Sequence, residues 1–208
     1  MKRSEFEKIN LQCSEVACAR GGVLVVGGVS FELSGGEALL IYGANGAGKS
    51  SLLGAISGRL PLSQGELNWY HENEALTQRQ AALGVAMLAH DGATKPGLTV
   101  SENLRFWCSI YDKPKGDIAS VVKEVKISGL EHRRTATLSA GQKRRLSFAR
   151  ILLANRPVWL LDEPTASIDD AGKADISAMI ESHSARGGLA IIATHEALDI
   201  SHRSLRIG

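Results

Sequence analysis

The most informative segment of this sequence is Gly43-Ala44-Asn45-Gly46-Ala47-Gly48-Lys49-Ser50, which fits the phosphate-loop pattern G-x-x-x-x-G-K-[ST] in full. It follows an apolar run, Ala38–Tyr42, and precedes a segment with helical character, which is the context that the pattern requires. Its glycines let backbone N–H groups turn inward around phosphate oxygens, and the start of the helix adds positive dipole there. We therefore expect a nucleoside triphosphate site in which Lys49 contacts the β- and γ-phosphates, Ser50 binds Mg²⁺ and Ser51 lies beside them.

The first third of the chain predicts short strands separated by pairs of glycines. The expected strands are Ile9–Cys18, Val23–Val26, Val29–Leu33 and Ala38–Tyr42, and the expected turns are Gly21-Gly22, Gly27-Gly28 and Gly35-Gly36. This pattern favours a small antiparallel sheet that leads into the main sheet.

The last third alternates apolar runs with helical periodicity, which is typical of a parallel sheet covered on both faces. A further strand is expected at Gly84–Leu88, and two more at Val158–Leu161 and Leu189–Ala193, with a helix near Ala171–Ser184. The sequence therefore predicts an α/β P-loop NTPase core with an antiparallel β layer.

The middle of the chain, from about Val100 to Leu153, is mostly helical in its periodicity, with breaks at Pro114, Gly116 and Gly129. We interpret it as a helical lobe inserted into the α/β core at about 100–153. The whole chain, 1–208, is then one domain.

A second motif supplies two acidic side chains, because the apolar run Val158–Leu161 is followed at once by Asp162 and Glu163. Strands often end in acids at the surface, but a phosphate loop in the same chain favours a catalytic role. Asp162 is expected to hold Mg²⁺, directly or through water. Glu163 is expected to orient or activate the water that attacks the γ-phosphate.

A third motif is the pentapeptide Leu138-Ser139-Ala140-Gly141-Gln142. Ser139 and Gln142 form a capping box at a helix start, and the small residues Ala140 and Gly141 allow backbone N–H groups to approach an anion. A simple capped helix has the same pattern, but the position ahead of the acidic strand favours the functional interpretation. Leu33-Ser34-Gly35-Gly36-Glu37 is a similar pentapeptide with no room for a following helix, so we expect a turn between strands there.

The third motif resembles the LSGGQ signature of ABC ATPases, and the resemblance extends over almost the whole chain. It implies that Pro164–Asp169 is the D-loop, with Asp169 at its end, and that His195, after the strand Leu189–Ala193, contacts the γ-phosphate. In this family each ATP lies between the P-loop of one subunit and the signature motif of another. The resemblance therefore implies a homodimer that uses ATP and Mg²⁺, with Glu163 and His195 as catalytic residues.

The sequence departs from the general ABC pattern at two positions. His90 occupies the position of a Gln that touches a water on Mg²⁺, and Arg20 lies where an aromatic residue stacks on adenine. His can also form hydrogen bonds there, and the guanidinium plane of Arg20 could stack on the base. Adenine selectivity is therefore an open question, whereas phosphate binding is not.

One subgroup of the family shares these features. His90, Leu98–Asn103 with Leu104–Trp107, and Leu138–Arg145 resemble the ATP-binding subunits of the bacterial haem exporter of c-type cytochrome maturation. The resemblance implies membrane-spanning partners of the CcmB-like and CcmC-like type, and a peripheral position on the cytoplasmic face of the inner membrane. It leaves open whether haem itself is moved or a haem-loaded chaperone is released. Because the sequence has no C-x-x-C-H and no His placed as an axial haem ligand, we expect no direct tight haem binding.

Three other functions were considered. An ATPase for lipoprotein or lipid export has the same motifs. Soluble ABC proteins of translation or DNA repair usually carry two cassettes or long coiled-coil insertions, which this sequence lacks. A nucleotide-sensing module without catalysis is disfavoured because Glu163 and His195 are both intact.

Composition adds few constraints. The net charge of +2 gives no indication of nucleic-acid binding, and three cysteines with wide spacing argue against disulfides or a zinc site. No apolar run approaches the length of a membrane helix. We predict that the basic cluster around the third motif forms a solvated helix face, and that four of the histidines lie on the surface. These residues are Lys143, Arg144, Arg145 and Arg150, and His71, His132, His183 and His202.

Overall fold

The computed structural model describes residues 5–6, 9–111 and 117–208, without the side chain of Asp117. The breaks expected at Pro114 and Gly116 therefore lie outside the described residues. Within these ranges the chain forms a four-stranded and a five-stranded sheet with helices packed against them.

The four-stranded sheet is antiparallel and has the order β2-β1-β4-β5. Its strands are β1 (Ile9–Arg20), β2 (Val23–Ser34), β4 (Gln64–His71) and β5 (Glu74–Leu76). The turn expected at Gly35-Gly36 is confirmed, since β2 ends at Ser34 and Gly36 has a φ of 93°.

The turn expected at Gly27-Gly28 is wrong, because both glycines lie inside the continuous strand β2. The register with β1 shifts between Val16 and Cys18, and Gly28 has a φ of 64° within that irregular stretch. A β-bulge uses a glycine at positive φ just as a turn does, so the glycine pair alone does not distinguish the two.

The five-stranded sheet is parallel and has the order β6-β7-β8-β3-β9. Its strands are β3 (Ala38–Tyr42), β6 (Val85–Leu88), β7 (Val158–Asp162), β8 (Leu189–Ala193) and β9 (Arg203–Arg206). Every residue of β7 and β8 is buried, as expected for central strands covered on both faces.

The helices cover both faces of this sheet. They are α1 (Lys49–Ile56), α2 (Gln78–Leu83), α3 (Val100–Tyr111), α4 (Asp117–Glu124), α5 (Ala140–Ala154) and α6 (Asp170–Ala185). One apolar cluster joins α3, α4, α5 and α6 to one face of the sheet, and a second fills the space between the two sheets around α1.

Several elements were not predicted from the sequence. In β4 only Trp69 is buried, so the strand lacks a clear apolar alternation. The helix α2 is six residues long, and β9 lies at the sheet edge with mostly exposed side chains. The strands β4 and β9 are held by backbone pairing with neighbouring strands, which a single sequence does not reveal.

The surface position expected for His183 is wrong, since its relative exposure is 0%. The imidazole ring stacks on Trp159 with ring centroids 3.9 Å apart. Its Nε2 lies 3.2 Å from the carbonyl oxygen of Pro157 and donates to it in the neutral tautomer that carries the proton on Nε2. Burial, with Arg186 nearby, lowers the pKa of His183 from 6.5 to about 4. The folded protein therefore requires the neutral ring.

We predict that His183 makes stability fall with acidification between pH 6.5 and about 4. In that window the unfolded chain binds a proton that the folded chain does not, so protons favour unfolding. Between pH 7.5 and 4.5 the loss from this residue should be roughly 2–3 kcal/mol.

The measurement is urea unfolding of the wild type and of His183→Phe, which keeps an aromatic ring against Trp159. The difference between their free energies of unfolding should change with pH by about that amount. The exposed Ser182→Ala, which removes no titratable group, serves as the control and should give a difference that does not change with pH. A pH-independent difference for His183→Phe would contradict the prediction.

Candidate functional site

The phosphate loop connects the carboxyl end of β3 to the N-terminus of α1. Ala44, Asn45 and Gly46 are exposed, and no side chain caps the N-terminus of α1. The first backbone N–H groups of a helix have no intrahelical partner, so they are available to an anion here. Lys49 is folded over the loop, where its Nζ donates to the carbonyl oxygens of Gly43 at 2.6 Å and Ala44 at 3.1 Å.

Gly48 sets the shape of the loop. It is the N-cap of α1 with a φ of 92°, and a Cβ there would lie 2.3 Å from Cγ2 of Val26 and 2.5 Å from the carbonyl oxygen of Val25. The loop is therefore pressed against β2, and only glycine fits at this contact.

The acidic pair lies at the end of β7. Asp162 is 5% exposed, and Glu163 follows it with a φ of 48°, an uncommon conformation for a residue other than glycine. The N–H of Glu163 donates to the carbonyl oxygen of Ala193 at 2.8 Å. Its carboxylate Oε2 lies 2.9 Å from Nδ1 of His195.

Strand order explains why these groups meet. Because β7 pairs with β8 and β8 pairs with β3, all in parallel, their carboxyl ends share one edge of the sheet. The phosphate loop, Asp162 with Glu163, and His195 follow directly after those three strand ends. The structure thus brings the sequence-predicted catalytic residues to one edge.

The signature segment starts α5. Ser139 is the N-cap, its Oγ accepts from the N–H of Gln142 at 3.2 Å, and the Gln142 Oε1 accepts from the N–H of Ser139 at 3.0 Å. The capping box expected from the sequence is confirmed. A Cβ on Gly141 would lie 3.0 Å from the carbonyl oxygen of Ser167, so the segment is packed beside the Pro164–Asp169 loop.

Asp169 has a structural role in this chain. It is the N-cap of α6, and its Oδ1 accepts from the N–H of Gly172 at 3.0 Å. Its carboxylate is also 4.0 Å from Arg145. The Pro164–Asp169 loop is therefore held at its far end by a helix cap.

The two atypical positions are both exposed. Arg20 is the last residue of β1 and pairs with Val23 across a hairpin, where Val23 and Leu24 are 66% and 61% exposed. His90 lies beyond the end of β6. Neither residue is in hydrogen-bond contact with the phosphate loop among the residues that the structure describes.

The solvated face predicted for the basic cluster is wrong for its arginines. Arg144 and Arg150 are each 7% exposed, and the side chain of Arg145 is 16% exposed and paired with Asp175 at 3.2 Å. Arg144 and Phe148 are four residues apart, so they share one helix face, and that spacing could have indicated burial.

Arg144 donates to four backbone carbonyl groups, and three of them belong to the acidic strand end. Its partners are the carbonyl oxygens of Asp162 and Glu163, of Pro164 at 3.2 Å, and of Ala89 at 3.3 Å. Sequence reasoning missed this residue as part of the site.

The available oxygens fit a magnesium ion that is bound together with a nucleotide. Ser50 in the first turn of α1 offers a hydroxyl group, and Asp162 offers a carboxylate. Mg²⁺ prefers such hard oxygen ligands and usually takes the rest from phosphates and water. In the described ranges, no group of three or more His, Cys, Asp or Glu side chains is arranged to hold a metal by itself.

The chain is similar to known ABC proteins over most of its length. The family model described as ABC transporter matches residues 26–166. The cytochrome c biogenesis ATP-binding export protein CcmA of Nitrobacter winogradskyi is 42% identical over 200 residues, which are 96% of this chain and 98% of that protein. The protein with the same name from Roseobacter denitrificans is 38% identical and covers 96% of this chain and 89% of its own length.

Solved structures show the same fold. A putative ABC transporter ATP-binding protein from Pyrococcus furiosus has a TM-score of 0.83 at 22% identity, with 95% of this chain and 97% of that chain covered. A bacterial Atm1-family ABC exporter with ATP bound has a TM-score of 0.77 at 20% identity, with 93% of this chain and 36% of that chain covered. Among the described residues of this chain, no helix has the length and apolarity needed to span a membrane.

We predict that Gly48→Ala destabilises the protein far more than Gly46→Ala. Both glycines have positive φ, at 92° and 86°, so both variants carry the cost of that backbone conformation, roughly 1 kcal/mol. Only Gly48→Ala also forces a methyl group into Val25 and Val26, because nothing lies within 4 Å of the Cβ position at Gly46.

Urea unfolding of the two nucleotide-free variants measures the difference. Gly48→Ala should lose about 1–3 kcal/mol more than Gly46→Ala, as expected for an overpacked contact. Equal losses would show that backbone conformation alone, and not contact with β2, requires glycine at position 48.

Proposed function

This chain belongs to the ABC transporter family, and from that premise we propose that it is the ATP-hydrolysing subunit of the haem exporter of c-type cytochrome biogenesis, whose cycle either moves haem or releases a haem-loaded chaperone. The chain hydrolyses ATP as a subunit of an ABC transporter. The observation that carries the finer proposal is the 42% identity to a cytochrome c biogenesis ATP-binding export protein over 96% of the chain.

The geometry supports a division of roles within one subunit. Lys49 and the N–H groups at the start of α1 bind the phosphates, and Ser50 with Asp162 holds Mg²⁺, which neutralises phosphate charge when bound. Glu163 acts as the general base toward the attacking water. The 2.9 Å contact between Glu163 and His195 keeps the carboxylate oriented at the sheet edge.

We further propose that two copies complete each site. Ser139–Gln142 of one copy contributes backbone N–H groups and the Ser139 hydroxyl to the γ-phosphate held by the other copy. In this chain the side chains of Ser139 and Gln142 each accept a hydrogen bond from the backbone N–H of the other residue, and the motif packs beside Ser167. ATP binding then closes the dimer and hydrolysis opens it, and this cycle moves a membrane partner.

The proposed partners are membrane-spanning subunits of the CcmB-like and CcmC-like type, and the proposed location is peripheral, at the cytoplasmic face of the inner membrane. His90 is proposed to contact the water around Mg²⁺ in place of Gln. Arg20 is proposed to stack on adenine, at a hairpin whose exposed Val23 and Leu24 offer apolar surface.

We predict that Glu163→Gln lowers ATP turnover by about 10²–10⁴-fold while ATP binding is retained, because only the general base is lost. The variant should accumulate as an ATP-bound dimer. Phosphate release and size-exclusion chromatography with ATP measure the two effects. Glu181→Gln, an exposed carboxylate on α6, is the control and should keep wild-type turnover. Wild-type phosphate release by Glu163→Gln would contradict the assignment.

We also predict that deletion of the gene abolishes covalent haem attachment to c-type cytochromes, and that a Glu163→Gln allele fails to restore it. The reason is that transport depends on the nucleotide cycle and not on haem binding by this chain. Haem staining of membrane proteins is the measurement, with the wild-type allele as the positive control.

Normal c-type cytochromes in the deletion strain would overturn the haem proposal. A defect in lipoprotein or lipid export in that strain would then assign the ATPase to another exporter. ATP hydrolysis by the purified protein would stand in either case.

A further inference from the structure

Arg144 is a buried cation whose hydrogen bonds all go to backbone carbonyl groups. Three acceptors are consecutive, the carbonyl oxygens of Asp162, Glu163 and Pro164, and the fourth is that of Ala89. A guanidinium group has five N–H donors in a rigid planar fork, so it can bind several oxygens only if they are held in a fixed arrangement. The side chain of Arg144 therefore holds the backbone of residues 162–164 and of Ala89 in one arrangement.

The energetic reason follows from burial. Taking a guanidinium group out of water is costly, and burial lowers the pKa of Arg144, while the charges of Asp162 and Glu163 oppose that shift. The cost is offset only while the carbonyl groups stay in place. Displacing the loop would leave a buried charge without partners, so the loop conformation and the arginine stabilise each other.

The segment that receives these bonds needs such support. Glu163 has a φ of 48° and Ser167 has a φ of 64°, and both values are unfavourable for residues with a Cβ. The loop's own backbone contributes two bonds, from Ala166 to Glu163 at 3.1 Å and from Ile168 to Thr165 at 3.2 Å. Strained conformations persist where surrounding contacts fix them.

Arg144 also lies two residues after Gln142, on the helix that the signature segment starts. Ala89, its fourth partner, directly precedes His90. The side chain of Arg144 thus joins three parts of the proposed site: the signature helix, the acidic strand end and the segment before His90.

We infer that Arg144 is a positioning residue that fixes the backbone of Glu163 relative to the signature helix. This inference rests on the proposed function of Glu163. Loss of the guanidinium group leaves the phosphate loop intact but displaces the carboxylate that acts on water.

Arg150 provides a matched control on the same helix. It is equally buried, at 7% exposure, and it also donates to a backbone carbonyl group, that of Met87. Its other contacts are the Tyr111 hydroxyl at 3.3 Å and the ring of Trp107. None of these partners belongs to the 162–164 segment, so Arg150→Gln reports the general cost of removing a buried arginine from α5.

The test is ATP hydrolysis by the full-length chain across a range of ATP concentrations, with Glu163→Gln as the inactive baseline. Arg144→Gln should lower kcat by about 10- to 100-fold and change KM less than about 3-fold, since a misplaced catalytic group affects the chemical step. Arg150→Gln should lower the melting temperature about as much as Arg144→Gln does. It should nevertheless keep kcat within about 3-fold of the wild type. The kcat of Arg144→Lys should lie between that of Arg144→Gln and that of the wild type, because one ammonium group cannot reach all four carbonyl oxygens.

Hydrogen–deuterium exchange adds a readout that does not depend on activity. In Arg144→Gln the amides of residues 163–168 should exchange faster while those of β3 and β8 stay protected. In Arg150→Gln the 163–168 segment should remain as in the wild type. If Arg144→Gln does not fold, Arg144→Lys decides by the same two measurements.

Wild-type kcat in the Arg144 variants, or losses of kcat that match those of Arg150→Gln, would overturn the inference. So would faster exchange spread evenly over the core. A wild-type chain that hydrolyses no more ATP than Glu163→Gln would overturn the proposed function itself, and the inference with it.

Discussion

The parallel pairing of β7, β8 and β3 is the constraint on which the site depends. Main-chain hydrogen bonds fix the register, with Leu161 opposite Ile192 and Ile192 opposite Leu40. Since every residue of β7 and β8 is buried, a shift of register by one residue would exchange side chains between the two cores, for example Trp159 with Leu160, and would disrupt the packing of both. The positions of the phosphate loop, the acidic pair and His195 are therefore determined by packing well away from the chemistry.

Much of this arrangement was predictable, and the reason is local. The phosphate loop, the acidic strand end and the capping box of Ser139 are encoded by contiguous residues, so one sequence was enough to identify them. The two buried strands Val158–Leu161 and Leu189–Ala193 were predicted because continuous apolar runs are unambiguous in a chain with a P-loop. The order of the strands, which brings the motifs together, was not predicted, because it depends on pairing between segments that are far apart in the sequence.

What escaped prediction depends on contacts between distant residues. Arg144 and Arg150 belong to a run of basic residues that is typical of a solvated face, and their burial follows from how α5 packs. His183 looked like a surface residue because nothing nearby in the sequence shows that Trp159 covers it. The bulge at Gly27-Gly28 has the same glycine chemistry as a turn, and only the register with β1 distinguishes them.

The position of Lys49 bears on what a measured nucleotide affinity means. Its ammonium group donates to two carbonyl oxygens of its own loop, so groups of the loop itself partly balance the positive charge. If Lys49 binds phosphate as proposed, an incoming phosphate competes with those carbonyl oxygens, and a measured affinity is the difference between two sets of hydrogen bonds. A ligand whose phosphate chain is too short to reach the ammonium group leaves that internal pairing undisturbed, so the loop discriminates ligands by length as well as by charge.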